Sequence, residues 1–362
     1  MPELFKNVFN PTFVEQLIGR IKSCFADFDE LSFKAMVFDK DWEERELKQR
    51  MRHITVCLRH ALPDNLSTAY KIIHQIAIDF GDEMDIAQMV FPDFVEHYGL
   101  DHPESLDLLE HLTRYSSSEF AVRPFIIRDQ KTVMNLMYQW ASSDNYHVRR
   151  CASEGTRPRL PWAMALPALK EDPKPILPIL EQLKDDPELY VRRSVANNLN
   201  DIAKDNPNFV IAFATAWLGH SKNTDWVIKH GCRTLLKQGH PKVLSLFGYS
   251  PPEHLSVTKL QHNESVVIGD ALDFSFEIIS DSDQPLGKLR LEFAIDFMKS
   301  NGRQSRKVFH IWEGIVNESQ KMVVKAFSFK PITTRKYYLG EHGLAIIING
   351  VEMAHSSFTL CS

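Results

Sequence analysis

The sequence predicts a mainly α protein, a HEAT-like α-solenoid over residues 1–250, followed by an all-β immunoglobulin-like sandwich over residues 251–362. Three observations predict it. Apolar residues recur at three- and four-residue spacing from about Pro11 to Gly248, that stretch carries a weak internal repeat, and after Tyr249-Ser250-Pro251-Pro252 the hydrophobic period drops to two.

The helical period shows in Phe13, Leu17 and Ile21, then in Met51, Ile54, Leu58 and Leu62, then in Val133, Leu136, Met137 and Trp140. Pro63-Asp64-Asn65, Asp185-Asp186-Pro187 and Asp205-Asn206-Pro207 read as breaks between helices, because proline lacks an N–H and restrains the residue before it. Val148-Arg149-Arg150 recurs 43 residues later as Val191-Arg192-Arg193, and a comparable helix start at Val227-Ile228-Lys229 follows 36 residues after that. Such periods mark stacked helix pairs, whose valines face the core and whose paired arginines would line one edge as a row of cations.

In the last 110 or so residues, Leu272, Phe274, Phe276 and Ile278 alternate with polar residues, as do Leu289, Leu291, Phe293, Ile295 and Phe297. Both read as half-buried antiparallel strands. Further strands are expected at 308–312, 322–329, 344–348 and 351–360, the last two joined by Asn349-Gly350, which suits a type I′ hairpin. Six or seven short strands make a sandwich.

A chain of 362 residues, 44% hydrophobic, can build two sizeable cores, which excludes disordered, collagen-like and disulfide-scaffold classes. No run reaches the roughly 18 apolar residues of a membrane span, and Met1-Pro2-Glu3-Leu4-Phe5-Lys6 lacks a signal-peptide pattern, so a soluble cytoplasmic protein is expected. Cys24, Cys57, Cys151, Cys232 and Cys361 are scattered, with no CxxC pair, and suggest neither a zinc site nor disulfides. Walker, GxGxxG, GxSxG and HExxH motifs are missing, so phosphoryl transfer, hydride transfer and zinc hydrolysis lack support, and no metal or cofactor is called for.

The net charge of −5 speaks against a phosphate-rich partner, but it conceals a division. Residues 1–110 balance to −10, residues 111–250 to +6 and the remainder to −1. Within the basic segment, Ala152-Ser153-Glu154-Gly155-Thr156-Arg157-Pro158-Arg159-Leu160-Pro161-Trp162 is the least ordinary run. A helix bearing Arg149, Arg150 and Glu154 stops at Gly155 and two prolines, with Trp162 just beyond. Arginines flanking a carboxylate beside an aromatic would grip phosphates, stack on a base or sugar and face a developing cation. The same residues also fit an Arg–Glu ion pair at a repeat boundary with Trp162 in the core. Ser116-Ser117-Ser118-Glu119 reads as a cap for the helix that follows, and Asp201, closing Asn197-Asn198-Leu199-Asn200, as a cap or a second carboxylate of a site.

These segments, with Val122-Arg123-Pro124 and His230…Arg233-Thr234-Leu235-Leu236-Lys237, resemble the AlkC branch of the AlkC/AlkD bacterial DNA alkylation-repair glycosylases over essentially residues 1–250. Part of that branch carries a C-terminal immunoglobulin-like domain. The resemblance implies a monofunctional glycosylase, acting as a monomer in the bacterial cytoplasm on nucleoid DNA, that excises cationic N3-alkylated bases such as 3-methyladenine and 3-methylcytosine from duplex DNA without flipping the base. It implies that Glu154, with Glu119 and Asp201 as neighbours, stabilises an oxocarbenium-like sugar and holds the water. Trp162 would lie against the deoxyribose or lesion. Arg149, Arg150, Arg157, Arg192, Arg193 and Arg233 would hold phosphates, and the run Lys299-Ser300-Asn301-Gly302-Arg303-Gln304-Ser305-Arg306-Lys307, read as a loop between strands, would reach a groove through Lys299, Arg303, Arg306 and Lys307. Which carboxylate dominates stays open. So do two non-catalytic readings, a HEAT protein binding a protein partner and a sensor of damaged DNA.

Overall fold

A computed structural model describes residues 5–81, 86–332 and 335–362, so residues 1–4 of the segment read above for a leader lie outside the described residues. The chain divides into two compact units, Met1–Gly231 and Cys232–Ser362.

The first unit is a helical solenoid. Its helices are α1 (Pro11–Cys24), α2 (Glu30–Val37), α3 (Leu47–Ala61), α4 (Leu66–Phe80), α5 (Val90–Tyr98), α6 (Ser105–Leu112), α7 (Val122–Arg128), α8 (Gln130–Trp140), α9 (Tyr146–Gly155), α10 (Pro167–Glu171), α11 (Leu177–Leu183), α12 (Leu189–Ile202), α13 (Pro207–Trp217) and α14 (Lys222–Gly231). Local chemistry sets their starts. Asn10, Asp29, Asn65, Asp129 and Asn145 each accept a hydrogen bond from a backbone N–H of the first turn, and Pro207 opens α13 where a missing N–H costs nothing. The apolar stripes read from the sequence are buried: Leu17, Ile21, Ile54, Leu58, Val133 and Met137 are essentially inaccessible.

The helices that carry the repeated Val-Arg-Arg pattern, α9 and α12, pack side by side, and α14 packs on α12. The seam between α9 and α12 is polar as well as apolar. Ser194 and Ser153 share a hydroxyl hydrogen bond of 2.9 Å, and the buried Asn198 donates to the Ser153 carbonyl oxygen at 2.8 Å and to the Thr156 hydroxyl at 3.3 Å.

The Asn197–Asp201 cluster forms the last turn of α12, as expected, but the helix runs on to Ile202 with Ala203 as its C-cap, so of the two roles read for Asp201 the cap is excluded. The serines do not cap α7. The Ser118 hydroxyl donates to the Leu109 carbonyl oxygen at 2.8 Å and the Ser117 hydroxyl to Glu119, while the residue at the cap position is Ala121.

The second unit opens with α15 (Arg233–Lys237) and α16 (Pro241–Leu246), followed by β1 (Leu255–His262), β2 (Ser265–Val267), β3 (Ala271–Ser280), β4 (Gly287–Met298), β5 (Gln304–Val316), β6 (Gln320–Ser328), β7 (Gly340–Ile348) and β8 (Val351–Cys361). They form a three-stranded sheet, β1-β3-β6, and a five-stranded sheet, β2-β8-β7-β4-β5, around a core that includes Phe274, Phe276, Phe293, Phe297 and Phe329. Asn349 and Gly350 both have positive φ, 46° and 79°, as the predicted hairpin turn requires.

The expected half-burial of β4 is incorrect, since both of its faces are covered. β4 lies between β7 and β5, and its polar face is neutralised by its neighbours: Arg290 donates to Glu292 at 2.7 Å and to Glu313, opposite it on β5, at 2.9 Å, while Asp296 takes a two-pronged bond from Arg306. The basic run is a loop only over residues 299–303, because Arg306 and Lys307 belong to β5. Among the described residues no helix is long and apolar enough to cross a membrane.

Candidate active site

The site grows from the C-terminal end of α9. Residues four apart on a helix share a face, so Glu154 lies over Arg150 at 3.5 Å. The chain then leaves the helix at Gly155, where a Cβ would sit 2.7 Å from the Val122 side chain, and the close approach of α7 demands glycine. Arg157 turns back to donate to Glu154 at 2.6 Å and, through Nε, to Asp201 of α12 at 2.8 Å. On the other side, Arg150 binds Glu119 and the Ser117 hydroxyl.

Three carboxylates, Glu119, Glu154 and Asp201, are thus strung on two arginines, Arg150 and Arg157, with Lys204 closing the series on Asp201 at 3.0 Å. Glu154 is 6% exposed, Arg157 7% and Asp201 2%. Charges buried this deeply are tolerable only when paired, and removing one partner typically costs about 3–5 kcal/mol. Burial by itself would push the Arg150 guanidinium down, but the charges of Glu119 and Glu154 outweigh it and hold the group above its ordinary range. Tyr190 roofs Arg150, whose guanidinium lies 4.9 Å from the ring centroid, and burial raises its phenol.

Trp162 is 64% exposed, which disposes of the reading that places it in the core. Its φ of 66° lies in the left-handed region, a conformation that costs a non-glycine residue about 1–2 kcal/mol. The segment that bears it is held from beneath by Arg123, fully buried, which donates to the carbonyl oxygens of Met164 at 2.7 Å, Gly155 at 2.9 Å and Arg157 at 2.8 Å. Burial first, and Arg157 second, bring the Arg123 guanidinium down to about 10.

The other cations separate into bound and exposed. Arg149 is clasped by Asp186, and Arg192 donates to the carbonyl oxygens of Asp186 and Pro187 at 2.6 and 2.8 Å, so the expected row of cations is largely folded back onto the turn before α12. Arg193 projects into solvent. In the second unit, Arg233 is half-buried at the start of α15, Lys299 is half-buried, Arg303 and Lys307 are exposed, and Arg306 is bound to Asp296 and Glu352. Arg123, Tyr190 and Lys48, whose Nζ reaches the Trp162 carbonyl oxygen at 2.8 Å, are the site's members that the sequence reading did not assign a role. Among the described residues no group of three or more His, Cys, Asp or Glu side chains is arranged to hold a metal ion.

A helical solenoid with a buried carboxylate–arginine array and an exposed tryptophan on the segment that leaves it, followed in the chain by a β-sandwich, fits the AlkC/AlkD family of DNA alkylation-repair glycosylases that carry a C-terminal immunoglobulin-like domain, and the chain belongs to that family. Residues 116–235 match the family described as DNA alkylation repair enzyme, and residues 256–362 match the C-terminal Ig-like domain of the uncharacterised protein YhaZ. The chain is 45% identical over 359 residues to the uncharacterized protein YhaZ of Bacillus subtilis (strain 168), covering 98% of this chain and 99% of that protein. It is 30% identical to the Pseudomonas fluorescens alkylpurine DNA glycosylase AlkC, solved bound to DNA containing an abasic site analog, with a TM-score of 0.94 over 99% of this chain and 100% of that one.

Proposed function

We propose that this chain is a DNA glycosylase that hydrolyses the N-glycosidic bond of cationic N3-alkylated bases, 3-methyladenine and 3-methylcytosine, in duplex DNA. The observation that carries the reading is the series of Glu119, Glu154 and Asp201 on Arg150 and Arg157, with the exposed indole of Trp162 borne on the segment that leaves α9 through Arg157.

The chemistry suits those groups. An N3-alkylated base already bears a positive charge, so its departure needs no protonation. The glycosidic electron pair leaves with the base and neutralises it, and the positive charge passes to the sugar, whose oxocarbenium character a buried carboxylate stabilises. Water then adds to C1′ and gives up a proton, leaving an abasic site. Glu154, central in the series and bound on both sides, takes the main electrostatic role. Glu119 and Asp201 hold the water and the cation, and Trp162 packs on the deoxyribose or lesion. No deep pocket is required of a lesion that stays in the stack, and we assign excision without base flipping.

Phosphates fall to Arg193 first, as an exposed cation one turn along α12, with Arg149, Arg150, Arg157 and Arg192 contributing where their carboxylate and carbonyl partners release them, and the half-buried Arg233 adding a contact from the start of α15. Lys299, Arg303 and Lys307 supply a further contact, with Arg306 bound to its neighbours. In this reading residues 1–250 are the glycosylase domain, residues 251–362 are an immunoglobulin-like DNA clamp, and the protein works as a monomer in the cytoplasm.

The test is incubation with duplexes containing one 3-methyladenine or 3-methylcytosine, followed by alkaline cleavage at abasic sites. Cleaved product from wild type, and a loss of about 10²-fold or more in rate for Glu154→Gln with DNA binding retained, is the expected result. Binding without product would leave a sensor of damaged DNA, and undiminished rates when Glu154→Gln, Glu119→Gln and Asp201→Asn are combined would remove these carboxylates from the chemistry.

A further inference from the structure

Trp162 combines a left-handed backbone with a largely exposed side chain, whose indole meets the exposed Phe5 ring at 6.4 Å between centroids, so neither local preference nor burial explains how the indole is aimed. What meets the segment is a pair of cations. Arg123 takes the carbonyl oxygens of Gly155, Arg157 and Met164 from inside the solenoid, and Lys48, on α3, takes that of Trp162 itself at 2.8 Å. The same Lys48 ammonium stands 5.4 Å from the centroid of Phe120, the residue next to Glu119. One side chain from the acidic N-terminal third therefore touches both segments that flank the carboxylate series. Lys48 also lines a cavity of about 160 Å³ together with Arg52, Glu96, Phe120 and Met164.

We infer that Lys48 is a positioning residue for base excision, fixing the Trp162 carbonyl and with it the direction of the indole. The two cations divide the work. Arg123 is fully buried and has become part of the fold, whereas Lys48 is exposed, so its removal spares the core and alters the aim of Trp162. An exposed lysine near a DNA face has an obvious competing use, a phosphate contact, and the two uses predict different measurements.

The inference rests on the excision activity proposed above, and wild-type turnover is the control that separates the two. Lys48→Met and Lys48→Arg are made in the full chain, alone and in a Trp162→Ala background. Single-turnover excision is measured at saturating enzyme, and affinity for an abasic-analogue duplex is measured across a salt series. The expected result is a loss of roughly 10- to 100-fold in the single-turnover rate for Lys48→Met, substantial recovery in Lys48→Arg, unchanged affinity, and no added loss once Trp162 is gone. Wild-type rates in Lys48→Met overturn the inference. So does a loss confined to affinity with the slope of log K against log salt reduced by about 0.9, which identifies a phosphate contact. If wild type itself excises nothing, the glycosylase reading fails and this one with it.

Discussion

Arg149 gives its guanidinium to Asp186, Nε to Oδ2 at 2.6 Å and Nη2 to Oδ1 at 3.1 Å, while the same group also donates to the carbonyl oxygens of Ser143 and Asp144. An arginine so placed joins the turn before α9 to the turn before α12. Arg149→Ala leaves a nearly inaccessible carboxylate without its partner, and the expected cost is about 3 kcal/mol of stability by urea denaturation. Removing Asp186 as well should recover part of it. Wild-type stability combined with weaker, less salt-sensitive DNA binding would instead make Arg149 a phosphate contact.

Trp162 offers a cleaner separation of structure from function. Trp162→Ala and Trp162→Gly delete the same indole and its contact with Phe5, but only glycine accepts φ of 66° without strain. Trp162→Gly should therefore be the more stable of the two by roughly 1 kcal/mol, after its entropic cost is deducted. Both should excise at a similarly reduced rate. Equal melting temperatures would mean that the segment relaxes once the indole is removed.

Glu96, beside the Lys48 cavity, is held by burial first and the Asp93 charge second at a pKa of about 7, against an ordinary 4.5, with Arg52 and Lys48 opposing the rise. A carboxyl with a raised folded-state pKa binds more protons in the folded than in the unfolded chain between those two values. Stability from this group is therefore intact below about pH 4.5, falls as pH rises to about 7, and is level above that, a loss on the order of 3 kcal/mol. Glu96→Gln should match wild type near pH 4.5 and exceed it by up to that amount at pH 8. Parallel pH profiles for the two proteins would contradict the assignment.

For the second unit, Lys299, Arg303 and Lys307 can be replaced by alanine together without touching a buried contact, unlike Arg306, which is bound to Asp296 and Glu352. If the 299–303 turn and the start of β5 meet DNA, the salt slope of binding should flatten by up to about 0.9 per cation. Excision at saturating enzyme should be unchanged. An unaltered slope would confine DNA contact to the solenoid.

The pattern of apolar residues was enough to place the helices and most strands, because burial of one face imposes a period that sequence displays directly. β1 escaped notice. It shifts register between Thr258 and Gln261, with Lys259 at φ of 51°, and a bulge breaks the alternation by which a strand is recognised. β4 reads as a strand but not as one covered on both faces, since Arg290 and Asp296 look solvent-facing until their partners on β5 are known, and Glu292 until its bond from Arg290 is. In the site, Glu154 and Arg157 were nameable because a helix stop between prolines is a local event. Arg123 looked like an ordinary helix start before proline, and Lys48 lies 114 residues from Trp162, a separation at which no spacing rule operates. The row of cations was misread for a related reason: a sequence shows charges, and only the fold shows which of them are already answered.

The Ser153, Ser194 and Asn198 seam bears on how the proposed catalytic carboxylates keep their spacing. Greasy surfaces slide over one another at little cost, but directional bonds have a single register, and slipping by a residue would strand several polar atoms in a dry interface. Glu154 and Asp201 ride on the two helices that this seam pins together, one residue beyond Ser153 and three beyond Asn198. The distance between the carboxylates is therefore machined into the scaffold before any duplex arrives.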